Sequence, residues 1–135
     1  MTDLVCSKPA YIDSEDTKSY NLYFGELENN NRCYFAPERF CDSNYDQKQR
    51  DYEYLKKSMD IFSVACVISE IMMDGSPLFN RGGLIKYKNS NNHEDIKSTL
   101  KKKINDHILV NLIMRMLSLK ENERPSIQEC LAIFF

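Results

Sequence analysis

Ser58-Met59-Asp60-Ile61-Phe62-Ser63-Val64-Ala65-Cys66-Val67-Ile68-Ser69-Glu70-Ile71-Met72-Met73-Asp74-Gly75 is the stretch that decides how this chain folds. On a helical wheel Ile61, Val64, Ile68 and Ile71 fall on one side, and Phe62, Ala65, Cys66 and Met72 fall elsewhere. A helix apolar all round is one buried on every side. The stretch therefore predicts a core pillar from Met59 to Asp74, about 24 Å long at about 1.5 Å per residue. Ser58 or Asp60 would cap its start, and Gly75 would take the left-handed conformation that ends it. Ser63, Ser69 and Glu70 interrupt the apolar run, and a bilayer span needs about 20 apolar residues, so no transmembrane segment is expected.

Toward the C-terminus, Gly75-Ser76-Pro77-Leu78-Phe79-Asn80-Arg81-Gly82-Gly83 is turn chemistry with Leu78 and Phe79 tucked inward. A short helix is expected over Leu84 to Lys88. An amphipathic one follows over His93 to Ile104, presenting Ile96, Leu100 and Ile104 at four-residue steps. Asp106 should cap a periodic helix reaching about Leu119, with Ile108, Leu109, Leu112, Ile113, Met116 and Leu117 inward. Ser126 and Glu129 form a capping box opening a last helix, Ile127 to Phe135. Toward the N-terminus the pattern fades. The charged run from Asp42 to Lys57 reads as an exposed loop with a possible helical turn, and Pro37 as the start of a short helix. Residues 1 to about 33 read as irregular, with one short strand near Tyr20 to Phe24. The fold class expected is mainly α.

The 135 residues make one domain with room for a core. A net charge of -2 gives no reason to expect nucleic acid, and Lys101-Lys102-Lys103 reads as a solvated helix face. Five scattered cysteines, Cys6, Cys33, Cys41, Cys66 and Cys130, suit neither a disulfide framework nor a zinc site. Reduced cysteines and the absence of an N-terminal apolar run point to an intracellular protein. His93 and His107 have no partner at metal-ligand spacing.

Four motifs follow one another in a telling order: Ala36-Pro37-Glu38, Asp60-x-Phe62-Ser63, Pro77-Leu78-Phe79 and Arg124-Pro125. Together they resemble the C-terminal lobe of protein kinases. The stretches Thr2 to Pro9, Cys33 to Phe40 and Met59 to Ile68 are most similar to one branch, the kinase-like regulatory subunits of class III phosphatidylinositol 3-kinase. The resemblance runs from about residue 1 to 135. It implies a partial protein kinase domain, with an activation-segment-like region over 1-38 and a helical C-lobe over 39-135. The N-lobe and catalytic loop are absent from these residues. Met1 falls where the family has an internal hydrophobic residue, so a truncated chain or gene fragment is expected.

The resemblance also implies residue roles. Glu38 and Arg124 correspond to the ion pair that anchors the end of the activation segment, a structural role. Asp60 corresponds to the residue that accepts N–H groups from the catalytic loop; without that loop it reads as a helix cap. Asp3 stands where kinases hold Mg²⁺ on ATP, but Leu4-Val5 replaces Phe-Gly, and valine resists positive φ. Asn30 and Asn31 replace the glycine and threonine of active serine/threonine kinases, and Ala65 replaces a small glycine. Ser14, Thr17, Ser19, Tyr20 and Tyr23 are candidate phosphorylation sites by position. No catalytic or cofactor-binding residue is assigned.

The function implied is a regulatory or scaffold lobe of a class III phosphatidylinositol 3-kinase complex in vacuolar protein sorting and autophagy. Its expected partner is the lipid kinase catalytic subunit, and its expected location is cytoplasmic, peripheral on endosomal or autophagic membranes. The alternatives are a remnant of an active ATP-dependent serine/threonine kinase, or a helical interaction module unrelated to kinases. Mg-ATP is the parent family's cofactor. The 135 residues carry no Gly-rich loop, ATP-binding lysine or catalytic loop, so no activity and no cofactor are expected of them alone.

Overall fold

Tyr52–Met72 forms helix α1, which begins well before the apolar run it was read from. The computed structural model describes residues 12–13, 16, 18, 32–41, 52–90 and 93–133. Four more helices follow: α2 over Arg81–Ser90, α3 over His93–Lys103, α4 over His107–Met116 and α5 over Ile127–Ala132. Single 3-10 turns span Pro37–Arg39 and Glu121–Glu123. Ile12–Asp13 (β1) pairs in parallel with Phe40–Cys41 (β2), Ile12 opposite Phe40. The described chain is thus mainly helical. The strand expected near Tyr20 to Phe24 lies outside the described residues.

Two expectations for the long helix are corrected. Because α1 starts at Tyr52, Ser58 and Asp60 sit inside it and cap nothing. The charged residues just before Ser58 belong to the helix rather than to a loop, since their long side chains tolerate helical backbone. Nor is α1 buried on every side. Met59, Ile61, Phe62, Ala65, Cys66 and Met73 lie in the core, whereas Val64 is 44% and Ile71 70% exposed, with Val67 and Met72 also open to solvent. Wheel position alone does not tell which apolar face finds a partner.

The helix ends at Met72, two residues short of the expected Asp74, and Gly75 takes the left-handed conformation as expected, with Asp74 before it doing the same. Asp74 takes φ 57 and Gly75 φ 81, and the Gly75 N–H donates to the Glu70 carbonyl at 2.9 Å, the long bond of a Schellman turn. Beyond it, α2 begins at Arg81 instead of Leu84. Asn80 Oδ1 accepts the Gly83 N–H at 2.6 Å, and a Cβ on residue 83 would stand 3.0 Å from that oxygen, so glycine there admits the cap. Asp106 caps α4 by accepting from the N–H groups of Ile108 and Leu109, and Ser126 with Glu129 completes the capping box of α5. Ile108, expected inward, is exposed; Val110 takes the buried place.

The core lies where α1 packs on α4, with α3 against α4's other side and α2 against the turn at 37–39. Phe62, Leu84, Leu100, Val110, Ile113 and Leu117 are among its fully buried members. Phe62 stacks on Phe79, which tilts against Tyr87. Burying an aromatic ring of that size makes truncation to alanine cost about 3–5 kcal/mol.

Candidate functional site

Glu38 follows Pro37, whose fixed φ starts the 3-10 turn and leaves the carboxylate facing the helical body. Arg124 follows the second 3-10 turn. The two meet as a bidentate fork: Arg124 Nη1 donates to Glu38 Oε1 at 2.5 Å and Nη2 to Oε2 at 2.8 Å. Their side chains are 1% and 5% exposed. A buried pair persists only if its remaining hydrogen-bonding groups also find partners. Here they do. Nη1 also donates to the Ser58 carbonyl at 2.9 Å and its hydroxyl at 3.2 Å, and Nε donates to the Ser118 carbonyl at 2.8 Å. The Ser58 hydroxyl donates in turn to the Glu121 carbonyl at 3.1 Å. The guanidinium carbon stands 5.1 Å from the centroid of Phe62, close enough for a cation–π contribution.

Ser58 is the brace that sequence reading missed. Its residue type suggests a cap; its signal is only that a serine stands next to apolar residues of a buried helix face. A second clamp was also missed. Glu70 Oε2 accepts from the Tyr34 hydroxyl at 2.5 Å, and Oε1 meets Arg32 Nε at 2.9 Å. An acidic residue in the last turns of an apolar helix was the clue. The Glu70 carboxylate beside it, with partial burial second, raises the Tyr34 pKa above its usual value. The Cys33 N–H donates to the Phe79 carbonyl at 2.8 Å, and Lys88 Nζ donates to the Phe40 carbonyl. These contacts, with the fork, fasten the segment from Arg32 to Phe40 onto the helical body.

The other sequence candidates fall elsewhere. Asp60 is exposed on α1, with no side-chain hydrogen bond or ion pair among the described residues. Asp3, Asn30, Asn31 and the candidate phosphorylation sites lie outside the described residues. Among the described residues no group of three or more His, Cys, Asp or Glu side chains could hold a metal ion. His93 pairs through Nδ1 with the Tyr87 hydroxyl at 2.8 Å, and His107 is exposed at the start of α4. Cys33, Cys66 and Cys130 are buried and outside any disulfide, and burial pushes the Cys66 thiol far above its ordinary range. The fork joins chain segments distant in sequence and holds them.

No protein-family model matches the chain. It is 37% identical over 132 residues to serine/threonine-protein kinase VPS15 of Saccharomyces cerevisiae, covering 95% of this chain and 9% of that protein. To serine/threonine-protein kinase VPS15 of Arabidopsis thaliana it is 33% identical over 131 residues, covering 97% of this chain and 8% of that protein. To serine/threonine-protein kinase vps15 of Schizosaccharomyces pombe it is 32% identical over 126 residues, covering 93% of this chain and 7% of that protein. The chain therefore spans a small fraction of the length of these relatives. Over that segment, the chain belongs to the VPS15 family, whose members above are named serine/threonine-protein kinases.

Proposed function

We propose that the chain is the helical C-terminal lobe of a kinase-like regulatory subunit, acting as a scaffold in a class III phosphatidylinositol 3-kinase complex of vesicle sorting and autophagy. The observation that carries this reading is the buried Glu38–Arg124 fork, which joins residues 86 apart in sequence and serves architecture rather than chemistry. The altered Leu4-Val5 and Asn30-Asn31 support it, since phosphoryl transfer is nearly all positioning and charge neutralisation. On this reading the 135 residues transfer no phosphoryl group alone, and they meet the membrane through their partner. The test is co-expression with a class III phosphatidylinositol 3-kinase catalytic subunit. Co-elution on size exclusion is expected; separate elution at micromolar concentrations contradicts the proposal.

A second reading is a portion of an active protein kinase, favoured by the names of the relatives, which are serine/threonine-protein kinases. ATP-dependent transfer by the purified chain, abolished in Asp3→Ala, would support it over the first.

A further inference from the structure

Lys97, Asn111, Met114, Arg115, Ser118 and Glu123, with His93 at one side, line a surface hollow of about 580 Å³ between α3, α4 and the Glu121–Glu123 turn. That volume falls within the roughly 300–1,000 Å³ of ligand sites. The hollow is wide-mouthed, which suits a side chain of an extended peptide better than an enclosed small molecule. Met114, half-buried, gives it an apolar and adaptable floor.

Its donors are under-used. Lys97 has no ion pair among the described residues, and neither does the exposed Asn111 amide have a hydrogen bond there. Arg115 is about half exposed, and its carboxylate neighbour, Glu129, stands 3.9 Å away. Glu129 is already committed, one oxygen accepting the Ser126 N–H at 2.7 Å. The hollow's own acid, Glu123, is neutralised in place by Lys120 at 2.9 Å and the Ser118 hydroxyl at 3.2 Å. Lys120 and Ser118 accordingly hold its carboxyl below the usual range. Lys97 is therefore unpaired among the described residues and Arg115 only loosely paired, so both can meet an incoming carboxylate.

We propose that this hollow binds an acidic segment of a protein partner, a glutamate or aspartate side chain meeting Arg115 and Lys97 while an apolar neighbour rests on Met114. A planar guanidinium matches a carboxylate in two-point geometry. The proposal does not depend on which complex the chain serves.

The test is fluorescence anisotropy of a fluorescein-labelled peptide of alternating glutamate and leucine, titrated with the 135-residue chain at low salt. Saturable binding is expected, with Kd raised at least tenfold in K97E/R115E and partly restored in R115K. A peptide with glutamine in place of glutamate should bind at least tenfold more weakly. Both cationic side chains reach solvent, so circular dichroism should show the fold unchanged; should the double variant fail to fold, N111D alone is expected to raise Kd about threefold. Equal binding of the glutamine peptide overturns the proposal, as does indifference to R115E. Binding of phosphatidylserine vesicles without binding of the peptide would overturn it too, making the hollow a lipid contact.

Discussion

Arg124 illustrates what a single residue does here. Its Nε and both terminal nitrogens donate, to Glu38, Ser58 and Ser118. Only the planar fork of arginine reaches such a set, so this position reads as structural from chemistry alone once the acceptors are known. Ser58 completes the arrangement by accepting from Arg124 and donating to Glu121. Ser58→Ala removes a donor to the Glu121 carbonyl and an acceptor from the buried Arg124 and should lower unfolding free energy by about 1 kcal/mol in urea titration; an unchanged midpoint would show the brace to be idle. Tyr34 makes a pH prediction. Its raised pKa means that the fold favours the protonated phenol, through the hydrogen bond to Glu70. Such a group contributes stability that is fully present below the unfolded value, about 10, and lost as pH rises through the folded one. Stability should fall above pH 10, and Tyr34→Phe should flatten part of that fall; identical alkaline profiles would contradict it.

At the scale of elements, caps were the most legible feature. Asp106 and the Ser126–Glu129 box announce themselves by residue type and spacing, and both form as read. Asp106→Ala should cost about 1 kcal/mol by thermal melting, since two N–H groups lose their acceptor; a loss below about 0.3 kcal/mol would place the cap's role elsewhere. Helix interiors were less legible. The start of α1 was hidden in charged residues with no apolar period, and the cap of α2 in Asn80, which read as turn chemistry. Ile108 fits the periodic stripe yet lies in the first turn of α4 and is 53% exposed, while Val110 faces the core. Periodicity gives the helix; tertiary packing chooses the face.

Across the whole molecule, two features stand out. The outer face of α1 shows Val64, Val67, Ile71 and Met72 to solvent, an apolar surface in a chain where no described helix is long and apolar enough to cross a membrane. Val67→Lys with Ile71→Glu should raise the soluble fraction while moving stability by no more than about 0.5 kcal/mol; a large loss of stability would show that this face is packed. The Glu38 and Arg124 motifs could be read from the sequence, but their junction could not, because nothing local links positions 86 apart. That junction is the account's central claim, and a double-mutant cycle tests it most directly. Glu38→Gln and Arg124→Leu, each alone, leave a buried charge without its partner and should cost about 3–5 kcal/mol in urea unfolding. The double variant should cost little more than either single one, giving a coupling of up to about 3 kcal/mol. Strictly additive losses, or single losses below about 0.5 kcal/mol, would contradict the claim that this fork fastens the segment around Glu38 to the helical body.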